Sequence, residues 1–168
     1  TTLTYAELDS RSAAVASALR SAGVAERDVV LIYLTNSIEF VVAYYGSLRA
    51  GGATVTLVNP LQPVPGLHRQ IVETGAVAGF TQAEQSDRLL SAAADSPLST
   101  VVVVDGTAAA VEGVRVTSLE EFTAGHSEVP AVAVSSDDVA HLAFTGGTPV
   151  SRKAFGSCTA TCSATSRR

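Results

Sequence analysis

Short apolar runs, rich in β-branched residues, alternate along this chain with stretches of helical periodicity, and that alternation constrains its fold more than any other feature. The runs fall at residues 29–34, 53–58, 76–81, 100–104 and 139–144. They are nearly continuous rather than alternately polar, the pattern of strands covered on both faces. Strands and helices in regular succession imply an α/β fold: a doubly wound, mainly parallel sheet with helices on both faces.

The punctuation between the runs supports that reading. Thr4 and Glu7 have the spacing of a capping box, opening a helix that Gly23 ends. Asn36 or Ser37 caps a second helix through Arg49, broken by Gly51 and Gly52. Further helices are expected at 65–74 and 84–93, with Gly75 closing the first of them. Residues 114–116 read as a short edge strand, and Ser118 as the cap of a short helix at 119–123.

Charge narrows the function classes. Hydrophobic residues make up 46% and charged residues 16%, with a formal net charge of −5. This balance fits neither a nucleic-acid binder nor a disordered acidic tail. No apolar run approaches the roughly 20 residues a membrane-spanning helix needs, and a cytoplasmic setting is the expectation. Residues 1–148 carry 7 basic and 16 acidic side chains, whereas residues 149–168 carry 4 basic and none acidic. Cys158 and Cys162 are the only cysteines, too few for a disulfide framework and without the second pair a zinc site needs.

One segment has a chemical signature. Phe144-Thr145-Gly146-Gly147-Thr148 follows directly on an expected strand. Small hydroxyl and glycine residues there can present backbone N–H groups and hydroxyls to phosphate oxygens, with no bulky side chain in the way. The same residues also suit a plain turn. The candidate binding residues are therefore Thr145, Gly146, Gly147 and Thr148. No catalytic residue and no metal ligand set is expected.

Context favours the phosphate reading. Leu3-Thr4-Tyr5-Ala6-Glu7-Leu8, the stretch Leu48-Arg49-Ala50-Gly51-Gly52-Ala53-Thr54-Val55-Thr56-Leu57-Val58-Asn59-Pro60, and Asp138-Val139-Ala140-His141-Leu142-Ala143-Phe144-Thr145-Gly146-Gly147-Thr148 stand in that order. Together they resemble the adenylate-forming (AMP-binding) superfamily, in its acyl-CoA synthetase or fatty-acid- and aryl-CoA ligase branch. The fold the resemblance implies is the first subdomain of the large N-terminal domain of those enzymes. The function it implies is ATP-dependent adenylation of a carboxylic acid followed by thioester formation with coenzyme A. Thr145 to Thr148 would then contact ATP phosphates accompanied by Mg²⁺.

The likeness breaks after Thr148. The family's loop continues Thr-Gly-x-Pro-Lys-Gly, while this chain has Pro149-Val150-Ser151-Arg152-Lys153-Ala154. Back-translating from Thr148 and inserting one base after its codon gives Thr-Thr-Gly-Leu-Ala-Lys-Gly-Val. That shifted frame restores the loop. Residues 1–148 are thus read as the family's first subdomain and residues 149–168 as an out-of-frame tail. Lys153 falls at the family lysine's spacing through the shifted frame alone.

The segments that bind adenine, ribose and the acyl group lie downstream in the family. The expectation is a truncated ligase part that is inactive by itself, with a stand-alone binding or assembly module as the alternative. An unrelated flavodoxin-like nucleotide binder is a third possibility, against which the three ordered motifs speak. Self-association is expected through the face that truncation uncovers, near residues 144–155 with Phe155 as anchor. The remaining conspicuous side chains read as structural: His141 at a strand edge, His68 and His126 on solvated surface, Tyr44 and Tyr45 in the core, and Asp137 and Asp138 in a turn.

Overall fold

The computed structural model describes residues 2–51, 54–128, 135–144 and 154–158, with residues 54 and 154–158 described in backbone only. The elements in chain order are α1 (Tyr5–Ser21), β1 (Val29–Tyr33), α2 (Ile38–Arg49), β2 (Thr54–Leu57), α3 (Val64–Thr74) and β3 (Ala76–Thr81). These are followed by α4 (Ala83–Ala93), β4 (Thr100–Val103), β5 (Arg115–Ser118), α5 (Leu119–Thr123), β6 (Val139–Phe144) and β7 (Ala154–Cys158). Among the described residues they build one seven-stranded sheet in the order β5-β4-β3-β1-β2-β6-β7.

Every pairing from β5 through β6 is parallel, and β7 returns antiparallel to β6. The chain runs from β1 outward to β2, then crosses back over β1 to β3 and continues to β4 and β5. That reversal puts α2 and α3 on opposite faces, as right-handed connections require. One face of β1, through Val30 and Ile32, packs with Val15, Leu19, Val42, Ala43 and Phe122 of α1, α2 and α5. The other, through Val29, Leu31 and Tyr33, packs with Leu67, Ile71, Leu89 and Leu90 of α3 and α4. Each fully buried Leu, Ile or Phe in these layers contributes about 1.5–3 kcal/mol of transfer free energy.

The helix ends follow the expected chemistry. The Thr4 hydroxyl accepts from the Glu7 amide at 3.2 Å while the Glu7 carboxylate takes the Thr4 amide at 2.8 Å. At the other end Gly23, at φ +94°, lets the Gly23 and Val24 amides reach back to the Arg20 and Leu19 carbonyls. Ser37, rather than Asn36, caps α2 by accepting the Phe40 amide. Ser118 and Glu121 repeat the capping box at α5. Both glutamates lie in the first turn of their helix, and the hydrogen bonds from the capping residue hold each carboxyl below the usual glutamate range.

Two differences from the sequence reading concern a strand and a tyrosine. Strand β7 occupies residues in which no element was expected, and it covers the outer edge of β6. Tyr45 does not join the core: at 48% exposure it lies on the outer side of α2, while Tyr44 sits half-buried toward β6. Consecutive helical positions point about 100° apart, so two adjacent tyrosines cannot both face the sheet.

Helices α1 and α2 approach each other closely at Gly46 of α2. A Cβ built there would lie 2.5 Å from Val15 Cγ1 and 2.6 Å from Val15 Cβ of α1. Neither helix can retreat without opening the layer above β1. Gly46→Val is therefore expected to lower stability by about 1–3 kcal/mol, read as a lower urea midpoint at unchanged slope. The compensating pair with Val15→Ala should recover part of that loss.

Candidate functional site

In an open parallel sheet, ligands bind outside the carboxyl ends of the strands, where neighbouring connections leave to opposite faces. Here the reversal lies between β1 and β3, which lead into α2 and α4 respectively. The first five strands of the chain, read β2-β1-β3-β4-β5, have the flavodoxin-like order. The β1/β3 crevice is therefore the first place to look for an anion.

The chain's own side chains fill that crevice. The Thr35 amide and hydroxyl both donate to Gln82 Oε1, at 3.0 and 2.6 Å. The amide of Ala83, the first residue of α4, donates to Asp105 Oδ1 at 2.6 Å. The first turns of α2 and α4 carry Glu39 and Glu84. Helix N-termini that attract phosphate elsewhere are here occupied, α2 by the Ser37 hydroxyl and α4 by the Asp105 carboxylate. This crevice does not suit a nucleotide phosphate, which removes the main structural support for a flavodoxin-like binder.

The other strand end of interest belongs to β6. It lies beside β2, with Val55 opposite His141 and Thr56 opposite Leu142. On its far side Phe144 pairs with Ala154 of β7. The nine residues 145–153 therefore join two backbone positions fixed on adjacent strands at the carboxyl edge of the parallel sheet. Thr145, Gly146, Gly147, Thr148 and Lys153 lie outside the described residues, as does Cys162. No aspartate or glutamate occurs from residue 139 to the end of the chain, in contrast with the acidic β1/β3 crevice.

The turn before β6 behaves as its sequence implies. Asp138 Oδ2 accepts the Ser135 amide at 2.7 Å and its own amide returns to the Ser135 carbonyl at 3.2 Å. Asp138 also meets Arg27, at 3.8 Å.

The histidines hold the structure together more than the sequence suggested. His68 is half-buried, its Nδ1 2.9 Å from the Ala92 carbonyl, and so ties α3 to α4. His126 is half-buried too, its Nδ1 3.1 Å from the Ser17 hydroxyl, tying the segment after α5 to α1. Both contacts span long sequence separations, which no local pattern encodes. His141 lies within β6, between β2 and β7, with its ring 6.3 Å from that of Tyr44. Its Nδ1 is buried without a hydrogen-bond partner among the described residues.

A groove of about 320 Å³ between α1, α2 and α5 was not foreseen from the sequence. Val15, Val42, Val104 and Leu119 form its apolar lining, and Arg11 and Glu39 at its rim pair with each other at 3.3 Å. Glu120 also lines it, and the groove carries no chemical signature.

Comparison with known proteins adds an independent line. A family model described as "AMP-binding enzyme" matches residues 1–153. Over 147 residues the chain is 33% identical to 4-coumarate-CoA ligase 1 of Narcissus pseudonarcissus, covering 88% of this chain and 26% of that protein. Over 145 residues it is 34% identical to 4-coumarate-CoA ligase 3 of Oryza sativa subsp. japonica, covering 86% and 25%. The chain thus spans about a quarter of the length of these curated relatives. Among solved structures, ATP-bound MatB from Rhodopseudomonas palustris superposes with a TM-score of 0.81 at 25% identity, over 98% of this chain and 31% of that one. The anthranilate CoA ligase AuaEII in complex with anthranoyl-AMP matches with a TM-score of 0.81 at 19% identity, over 93% and 30%, which speaks to the fold.

Burial pushes the His141 imidazole below its ordinary value of 6.5. The unfolded chain then binds more protons than the folded one just below that value, so stability falls as pH drops through it. Above it the neutral ring costs nothing. The urea midpoint should fall between about pH 7.5 and about pH 5.5. The fall should be smaller in His141→Phe, because the other two histidines are common to both proteins.

Proposed function

Because this chain belongs to the AMP-binding enzyme family, we propose that it is the opening α/β part of an acyl- or aryl-CoA ligase. The parent reaction in this reading has two halves. A carboxylate attacks the α-phosphate of ATP, releasing pyrophosphate and leaving an acyl-adenylate; the thiol of coenzyme A then displaces AMP. The 4-coumarate-CoA ligases among its relatives favour an aromatic or other apolar carboxylic acid.

The observation that carries the reading is the end of β6 at Phe144, on the carboxyl edge of the sheet and followed in the sequence by a stretch free of acidic side chains. There the amides of Gly146 and Gly147 and the hydroxyls of Thr145 and Thr148 would hold the β- and γ-phosphate oxygens of ATP. Mg²⁺ arriving with the nucleotide would neutralise phosphate charge; among the described residues no cluster of carboxylates, histidines or cysteines is arranged to hold a metal ion.

The chain alone is not expected to catalyse. The elements that hold adenine, ribose and the acyl group belong to the part of the relatives that this chain does not span. Residues 149–168 are read as translated out of frame, supported by the change from acidic to wholly basic charge at that point. Sequencing the coding DNA across codon 149 tests this directly. A second reading, a stand-alone binding or assembly module, draws support from β7, which covers the open edge of β6.

Two measurements check these proposals. The purified chain should show no ATP–pyrophosphate exchange above a no-enzyme blank with any carboxylate offered, and exchange in a preparation free of host ligases would overturn the incomplete-ligase reading. The chain should also self-associate as a two-fold dimer or larger through the region of Phe144 and residues 154–158, because sheet edges and apolar faces left open tend to pair. A clean monomer by light scattering at high micromolar concentration would overturn that second proposal.

A further inference from the structure

The β2–α3 loop, residues 58–63, starts beside the strand end from which residues 145–148 depart, because β2 and β6 are parallel neighbours. Its conformation is fixed locally first. Asn59 Oδ1 accepts the Leu61 amide at 2.9 Å, and the Asn59 carbonyl accepts the Gln62 amide at 2.8 Å. Pro60 and Pro63 restrict the backbone on either side of that turn.

The turn is then tied to two other elements through a single carbonyl. The Pro60 carbonyl accepts the Tyr33 hydroxyl of β1 at 2.9 Å and Arg88 Nη1 of α4 at 3.1 Å. Arg88 Nη1 also lies 3.4 Å from the Tyr33 hydroxyl, so donors and acceptor form a closed triangle. Tyr33 is wholly buried, and this carbonyl gives its hydroxyl the partner a buried phenol requires. Arg88 is exposed, and its role in the core packing of α4 is small. Its charge-assisted bond thus acts on the loop more than on the helix that bears it.

The loop is held rigid while presenting an apolar side chain to water. Leu61, at its tip, is 82% exposed. A loop already ordered by turn bonds and two outside anchors loses little conformational entropy when something is placed against it.

We propose that Tyr33 and Arg88 form a latch on the Pro60 carbonyl, making the β2–α3 loop a preordered wall beside the carboxyl end of β6. Tyr33 and Arg88 are positioning residues in this scheme. The latch itself is independent of the ligase reading; its use as a wall of the nucleotide site rests on that reading.

Amide hydrogen exchange on the full 168-residue chain tests the latch without needing activity. The Leu61 and Gln62 amides close the turn, so their exchange reports its opening. Arg88→Met and Tyr33→Phe should each speed exchange at those two amides by about tenfold, and the double variant by more. Amides of β1 and β3 should be unchanged in Arg88→Met, and Arg88→Lys should restore part of the protection. Unaltered exchange at Leu61 and Gln62 in the double variant would overturn the latch. So would an equal rise across β1, β3 and the loop, which would make the contact general stabilisation. Absence of pyrophosphate exchange bears only on the ligase reading and leaves this outcome untouched.

Discussion

Strand β1 is the constraint on which the rest of this structure depends. All five of its residues are buried, with a parallel neighbour on each side and a helical layer on each face. A strand so placed cannot alternate polar and apolar residues, and Val29-Val30-Leu31-Ile32-Tyr33 does not. The chain must leave β1 for β2 on one side and return to β3 on the other, which sends consecutive helices to opposite faces. Gly46 serves the same centre, since only a residue without Cβ lets α2 lie this close to α1 above the strand. The single polar atom that β1 brings to its carboxyl end, the Tyr33 hydroxyl, is spent on the neighbouring loop.

Most of the fold was legible because its signals are local. Continuous apolar runs mark the parallel strands, and Thr4 with Glu7 and Ser118 with Glu121 mark helix starts within four residues of sequence. Boundaries differ by a residue or so, as at α3, which begins at Val64 rather than Pro65. What escaped depends on contacts between distant segments. His68 and His126 look like surface residues until α4 and α1 supply their partners. Strand β7 has little apolar pattern of its own and exists as the antiparallel return of β6. The order β2-β1-β3-β4-β5 follows from topology, and the sequence states only that strands and helices alternate.

The site was legible in a different way. Residues 145–148 stood out by composition, yet composition alone also fits a plain turn. What the structure adds is the strand end they leave from and the residues that fix it: His141 and Leu142 register β6 against β2, and Phe144 pairs with Ala154. The contact that closes the competing crevice at α4 was not readable, because Asp105 and Ala83 are far apart in sequence. Asp105 reaches the first amide of α4 only because β3 and β4 are parallel neighbours whose ends lie on one edge of the sheet.

The contacts of Gln82 and Asp105 bear on two nucleotide-binding geometries which share this strand order. A flavodoxin-like protein uses the β1/β3 crevice, and its helix N-termini must then be free to receive a phosphate. Here Gln82 takes the Thr35 donors, Asp105 takes the first amide of α4, and Ser37 takes an amide of α2. Each of these bonds satisfies a backbone group that a phosphate would otherwise satisfy, so a ligand would have to displace the chain's own acceptors and approach nearby carboxylates. Addition of β6 beside β2 creates a second strand end on the same edge, three strands away from β3 and free of acidic residues. The extension of the sheet by β6 thus supplies a second strand end on the carboxyl edge, away from the Asp105 and Gln82 contacts that occupy the centre of the fold.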